Sequence, residues 1–418
     1  MKLDNNSYFQ AVILCGGLGT RLKPLTKYLP KPMVDVNGKP FLWHLLDQLA
    51  DKGINRFLLL TGYLGHTISD YFGNGEKWGW QIVYSHGPAE WDTGRRLWEA
   101  REFLDSEFLL AYSDNFVQIR LDLLVEAWGK TKASMAVHLA PKKDGNIRLR
   151  DDGLVEEYDP SRKAPGLDFV EVGYMLCRKE EVLRYLEQLE GFPDISFSKV
   201  LKSVAIQGKL AGVVIHDPYH SVGDVERLEK TRRYLTPKKI ILIDRDGTIN
   251  RKAPRGEYIR TWDKFEFLPE NRKAMKELAQ SGYQFIVITN QAGVARGIVD
   301  ADELEKIHQN MVASLKQDGI EILKVYVCTD HWEIKSFRRK PFPGMFFEAS
   351  RDFDLRLDKS LYIGDDTRDC EAAFNAGTRC IYVGDTAELI KLQAKHKPVQ
   401  DFNYIPSPFE MGRLVSKA

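Results

Sequence analysis

Twice in this chain an apolar run passes straight into a short turn dense in glycine, cationic or acidic residues. The first is QAVILC (Gln10–Cys15), which enters GGLGTRLKP; the second is IILI, which follows the basic pair Lys238-Lys239 and enters DRDGT. A short, wholly apolar run reads as a strand covered on both faces, and such strands open α/β sheets. Two openings so far apart in 418 residues predict two domains of ordinary size rather than one continuous core.

The rest of the pattern agrees. Apolar runs recur at 57–61, 81–84, 108–111 and 135–139, with amphipathic helical segments at 41–52 and 95–104. After the second opening they recur at 284–289, 322–328, 360–363 and 379–383. Alternating strand and helix patterns predict α/β domains with largely parallel sheets. A charged helical stretch, 226–235, ends at Thr236-Pro237, which reads as the joint. The expected division is 1–236, 237–395 and a C-terminal tail over 396–418.

Composition narrows the ligands. A formal net charge of +1 supports neither nucleic-acid nor membrane-surface binding, so an anionic ligand must be held by local Lys and Arg clusters. The five cysteines are scattered without C-x-x-C spacing, which suggests neither a disulfide framework nor a four-thiolate zinc site and fits a reducing cytoplasm. The polar start and the lack of any apolar run near ~18 residues predict neither signal peptide nor membrane span.

In the run GGLGTRLKPLTKYLPKPM, Gly16, Gly17 and Gly19 let backbone N–H groups approach a phosphate chain. Arg21 can grip phosphate through two donors, and Lys31 adds a point charge. The whole run resembles the signature of the sugar nucleotidyltransferases, as do GKPFLWHLLDQL and TGYLGHTISDYFG. The resemblance implies transfer of a nucleotidyl group from an NTP to a sugar phosphate, with release of pyrophosphate. It assigns Gly16, Gly17, Gly19 and Thr20 to the nucleotide, Arg21 to the β/γ-phosphates, Lys31 to the α-phosphate, Asp114 to Mg²⁺ and Gly94 to the base and sugar. Two departures stand out. In HSVGDVERL, Ser221 replaces the family's second metal aspartate, so either Asp224 takes over the metal or coordination relies on Asp114 and the phosphates themselves. In EEYDPSRK, Tyr158 replaces the sugar-phosphate lysine, leaving Arg162 or Lys163 to compensate.

Asp244 and Asp246, at i and i+2 after a strand, can divide labour between nucleophile and proton donor. DRDGT resembles the opening motif of the haloacid-dehalogenase phosphatases. That likeness implies an aspartyl-phosphate on Asp244, with Asp246 as acid and then base. It assigns Thr289 and Asn290 to the phosphoryl group and Lys340 to its charge. Mg²⁺ falls to Asp244, Asp246, Asp365 and Asp366, with Asp369 as a further candidate. TNQAGVARG and KPFPGM resemble the histidinol-phosphate and heptose-bisphosphate phosphatases. Members with a structural zinc hold it in a Cys/His loop. Here Cys328 and His331 remain while Ser336 and Arg338 stand where cysteines are expected, so no zinc is expected. Arg338 and Arg339 are candidates for a second anionic group.

Together the resemblances imply two Rossmann-like three-layer α/β domains, GT-A-like then HAD-like, with Mg²⁺ at both sites. The expected ligands are GTP or CTP and a sugar phosphate, with heptose activation leading. A polyol or unusual sugar phosphate with CTP is the alternative. A regulatory nucleotide-binding half beside an active phosphatase is the reading of another class. A homo-oligomer is left open.

Overall fold

The computed structural model describes residues 9–254 and 256–384, together with the backbone of Phe402–Tyr404. The chain divides into two compact units, Met1–Thr236 and Pro237–Ala418.

The first unit is built on a nine-stranded sheet. At its centre Glu107–Tyr112, Gln10–Cys15, Arg56–Thr61 and Gln81–His86 run parallel in that order. The expected parallel sheet ends there. Phe169–Arg178 pairs antiparallel with both Glu107–Tyr112 and Met135–Pro141, so the sheet is mixed. Strand direction depends on the connections, and apolar periodicity does not encode it. Successive residues of Gln10–Cys15 face opposite ways: Ala11 and Ile13 join one buried cluster, Val12 and Leu14 the other. Period-2 burial on both faces is what a sheet between two helical layers demands. The segment expected as one helix at 95–104 is Thr93–Glu99 followed by a 3₁₀ turn, Arg101–Phe103.

The second unit holds a six-stranded sheet, parallel throughout. Its order is Ile322–Cys328, Gln284–Asn290, Ile240–Ile243, Leu361–Gly364, Arg379–Tyr382 and Phe402–Tyr404. Ile240 and Leu242 face one core while Ile241 and Ile243 face the other. The tail expected over 396–418 lies outside the described residues except for Phe402–Tyr404, which adds a strand to this sheet. Among the described residues no helix is long and apolar enough to cross a membrane.

Candidate active sites

Both sites form where parallel strands end. In the first unit Leu14 and Tyr112 are register partners, so the glycine turn and Asp114 emerge side by side at one sheet edge. A cavity of about 440 Å³ there is lined by Gly16, Gly17, Gly19, Thr20, Arg21, Lys31 and Asp114. Gly19 takes φ +61°, the left-handed region that favours glycine. Lys31 Nζ lies 2.6 Å from Asp114 Oδ2. Arg21 is exposed and has no carboxylate partner among the described residues.

Two candidates sit elsewhere. Asp224 caps the helix Val225–Leu235: its carboxylate accepts from Arg227 N at 2.9 Å and pairs with the Arg227 side chain at 3.3 Å. Helix capping takes up the carboxylate, and Gly223 rather than Asp224 lines the cavity. Gly94 is buried against the chain at Ile195, to whose carbonyl its N–H donates at 2.8 Å. A Cβ there would come within 2.6 Å of that oxygen, so this glycine serves close packing.

Sequence reasoning assigns no role to Arg96. Only 5% exposed, it threads beneath the glycine turn and donates to the carbonyls of Gly16, Thr61 and Pro88 at 3.3, 2.8 and 2.7 Å. A Cβ on Gly16 would stand 2.2 Å from its guanidinium carbon, so Gly16 makes room for this brace. Glu171 was missed as well. Its Oε2 is buried without a hydrogen-bond partner, and burial, with Asp114 nearby, pushes the carboxyl up to about 8.

In the second unit Asp244 follows Ile240–Ile243, and Lys340 reaches it from a distant loop. Lys340 Nζ, 3% exposed, lies 2.8 Å from Asp244 Oδ1 and 2.6 Å from Asp369 Oδ1. It also donates to the Ile288 carbonyl and the Tyr362 hydroxyl. Burial opposes its charge, but the two carboxylates hold the ammonium above its ordinary value. Asn290 fixes the lysine's main chain through a reciprocal pair: Asn290 Nδ2 donates to Lys340 O at 3.0 Å, and Lys340 N to Asn290 Oδ1 at 3.1 Å. Thr289 is buried at the end of its strand and accepts from Gln291 Nε2.

Oxygens of Asp244, Asp365 and Asp369 lie within 4.8 Å of one another. Asp365 Oδ1 is buried with no hydrogen-bond partner, and burial raises this carboxyl to about 6. A hard cation satisfies such an oxygen, so these residues fit Mg²⁺. Asp366 does not join them. It caps the helix Thr367–Ala376 in a capping box with Asp369 and pairs with Arg368 at 2.8 Å.

The surroundings of Asp244 and Asp246 differ. Burial, with the Asp369 charge beside it, raises Asp244. Burial would raise Asp246 too, but the Arg245 guanidinium and hydrogen bonds from Asn250 and Gln291 hold it below its ordinary value.

A cavity of about 960 Å³ opens over these groups, with Arg296, Trp332 and Arg339 on its wall. Arg338 instead pairs with Glu348 at 2.7 Å.

Comparison with known proteins places both halves. Residues 10–155 match the nucleotidyl transferase family profile, and residues 239–409 match that of the polynucleotide kinase 3 phosphatases. A probable glucose-1-phosphate cytidylyltransferase of Bacillus subtilis is 29% identical over 48% of this chain and 86% of its own length. A D-glycero-beta-D-manno-heptose-1,7-bisphosphate 7-phosphatase of Photorhabdus laumondii is 35% identical over 32% of this chain and 73% of its own. A D-glycero-alpha-D-manno-heptose-1,7-bisphosphate 7-phosphatase of Mycobacterium tuberculosis is 36% identical over 32% of this chain and 71% of its own. The chain joins a nucleotidyltransferase domain to a HAD-type phosphatase domain. It is thus a transferase and a phosphatase in one polypeptide.

In the phosphatase domain, the two residues left from a zinc loop are engaged otherwise. Cys328 Sγ donates to Asp330 Oδ2 at 3.5 Å, while the His331 ring packs 3.8 Å from that of Trp332 and accepts from Glu333 N.

Proposed function

We propose that the two domains act in sequence in making a nucleotide-activated heptose. The phosphatase domain removes the 7-phosphate of D-glycero-D-manno-heptose 1,7-bisphosphate. The transferase domain then couples the remaining 1-phosphate to a nucleotidyl group from GTP, with Mg²⁺ at both sites. One observation carries the bisphosphate reading. Arg296 and Arg339 line the phosphatase cavity, and neither has a carboxylate partner among the described residues. Arg296 lies between two aromatic rings, 5.7 Å from Tyr258 and 5.4 Å from Trp332. Two unneutralised guanidinium groups facing one cavity favour a substrate with a second anionic group beyond the phosphate being cleaved. The 7-phosphatase relatives, of either anomer, agree with that reading.

In the phosphatase step an Asp244 oxygen bonds to phosphorus as the bond to the sugar oxygen breaks. Asp246 gives its proton to the departing alkoxide, then takes one from the water that cleaves the aspartyl-phosphate. This returns Asp244 as a carboxylate and Asp246 as an acid. Lys340, Thr289 and Asn290 hold the phosphoryl oxygens. Mg²⁺ held by Asp244 and Asp365 supplies charge that offsets carboxylate–phosphate repulsion. In the transferase step the glycine turn and Arg21 hold the triphosphate while Lys31 stabilises charge at the α-phosphate. Asp114, which lines that cavity, would hold Mg²⁺ there.

A second reading, with CTP as donor and a different sugar or polyol phosphate as acceptor, is favoured by the cytidylyltransferase relative. The test is ³¹P NMR of the whole chain with Mg²⁺, heptose 1,7-bisphosphate and each NTP in turn. Free phosphate, pyrophosphate and a diphosphate-linked product with GTP support the first reading. Phosphate release without coupling to any NTP removes heptose phosphate as the acceptor. Nucleotide binding with no pyrophosphate from any acceptor would favour a regulatory first half.

A further inference from the structure

Three loops leave one edge of the first sheet side by side, because Cys15, Thr61 and His86 are register partners on neighbouring parallel strands. Their main chains, at 16, 61 and 88–89, converge on one side chain from the helix Thr93–Glu99. Arg96 Nη1 donates to Thr61 O at 2.8 Å, and Nη2 reaches the carbonyls of Pro88, Gly16 and Ala89 at 2.7, 3.3 and 3.3 Å. All four partners are neutral, and no carboxylate pairs with this guanidinium among the described residues. Arginine suits such a post, since its planar fork serves several acceptors at once and its charge is weakly hydrated. Two glycines make room for it: a Cβ on Gly16 would stand 2.2 Å from Cζ, and one on Gly62 2.6 Å from Nη2.

The contact with Gly16 fixes more than a carbonyl. Gly16–Gly17 is a trans peptide, so its C=O and N–H point opposite ways. Arg96, together with Tyr63 N at 3.2 Å, holds the Gly16 oxygen on the buried side of the turn. The Gly17 N–H is thereby directed to the other side, where Gly17 is exposed and lines the cavity. That N–H donates to no group among the described residues, and a Cβ on Gly17 would meet nothing within 4 Å. A fixed, free N–H in open space, in a cavity that Arg21 and Lys31 also line, is a donor for an anion.

We infer that Arg96 is a positioning residue for the nucleotide: from beneath the turn it orients the Gly16–Gly17 peptide so that Gly17 N–H faces the triphosphate. This rests on the reading of the glycine turn as the cradle of an NTP. Arg96 acts through the turn, not on the phosphates. Its loss leaves four carbonyls without their shared donor and the space beneath Gly16 unfilled, so the peptide is free to turn its N–H away. The effect falls on nucleotide affinity in a protein that is still folded.

The test is calorimetric titration of the full chain with GTP and with CTP, in the presence of Mg²⁺ and at a temperature where every variant is folded. Arg96→Met is expected to raise the Kd of whichever NTP the wild-type chain binds by about tenfold or more, the cost of misdirecting one hydrogen bond to a charged phosphate. Arg96→Lys, which keeps the charge but not the fork, recovers only part of that loss. Gly16→Ala is expected to match Arg96→Met, because its Cβ displaces the guanidinium, and the double variant to lose no more than either single one. A merely structural Arg96 would lower the melting temperature of the transferase domain and leave the Kd of the folded variants unchanged, and that result overturns the inference. Additive losses in the double variant overturn it too, since Gly16 would then act on the nucleotide independently of Arg96. If Arg96→Met does not fold, Arg96→Lys and Gly16→Ala decide by the same Kd ratio. A wild-type chain that binds neither NTP rejects the cradle reading and the inference with it, whereas wild-type binding that the variants retain rejects the positioning role alone.

Discussion

Lys31 and Asp114, 83 residues apart in sequence, meet with 2.6 Å between ammonium and carboxylate. They meet because the strands that precede their loops are parallel neighbours, and the pair spans the floor of the cavity under the glycine turn. With Lys31 only 13% exposed, the charge sits where water screens it poorly. Lys31→Met is expected to reduce pyrophosphate release by about 10²–10³-fold, the usual cost of losing one preorganised charge-stabilising donor. Phosphate release by the second domain should be unchanged. Parallel assays of both products on one preparation check this, and a matching fall in phosphate release would reject independent sites.

Asp369 shares Lys340 with Asp244, at 2.6 Å and 1% exposed, and accepts from the Tyr362 hydroxyl at 2.9 Å. Removing one partner of a buried ion pair costs up to about 3–5 kcal/mol, and less here because Asp244 still faces the lysine. Asp369→Ala is therefore expected to lower the thermal midpoint of the phosphatase domain and to abolish most phosphate release. Calorimetry alongside the phosphate assay tests both effects. A variant of wild-type stability and activity would show that Asp244 alone holds the lysine.

Gly247 has φ +86°, and a Cβ there would stand 2.1 Å from Asp365 Oδ2. Gly247→Ala thus combines backbone strain with displacement of a carboxylate assigned to Mg²⁺. The expected result is a rise of about tenfold or more in the Mg²⁺ concentration that half-activates phosphate release, with recovery of rate at high Mg²⁺. An unchanged Mg²⁺ dependence would remove Asp365 from the cation site.

What could be read from the sequence follows a physical divide. The strands were legible because period-2 burial on both faces leaves an apolar run, as in 10–15 and 240–243, whatever the surroundings. The convergence of the glycine turn with Asp114, and of Asp244 with Lys340, followed from loops leaving the same edge of a parallel sheet. Arg96 was hidden because a basic residue in an amphipathic helix reads as a solvent-facing one, and only the space left by Gly16 shows otherwise. Among Asp365, Asp366 and Asp369, which carboxylates gather beside Asp244 and which cap the helix depends on where Thr367–Ala376 begins, a matter of one residue. Asp224 poses the same choice, since an aspartate before a helix has a competing use as its cap. The antiparallel half of the first sheet depends on connections that no local pattern records.

The Cys328 loop bears on metal content. Cys328 is buried with its thiol directed to Asp330, and His331 is packed on Trp332 and bonded to Glu333. A closed zinc site needs four ligands, and this loop offers two that are already engaged. A zinc-selective chelator is therefore expected to leave phosphate release and the phosphatase melting temperature unchanged, while EDTA abolishes release until Mg²⁺ is restored. Loss of either property with the selective chelator, reversed by zinc, would establish a zinc site.

His138 gives the transferase domain a stability that depends on acid. The ring is fully buried in the strand Met135–Pro141, its Nε2–H donates to the Arg120 carbonyl at 3.2 Å, and its Nδ1 has no hydrogen-bond partner. Protonation would place a charged N–H in an apolar core, so burial lowers the pKa from 6.5 to about 4. A depressed pKa means that the unfolded chain takes up the proton first. Stability is complete above about pH 6.5 and is lost progressively as the pH falls toward 4. At pH 5 the loss from this residue is about 2 kcal/mol, taking 1.36 kcal/mol per pKa unit. Denaturant unfolding of the transferase domain within the full chain, at pH 7 and pH 5, measures it. His138→Gln should lower stability at pH 7 yet flatten its decline with acid. A decline of undiminished slope in that variant would assign the acid sensitivity to other groups.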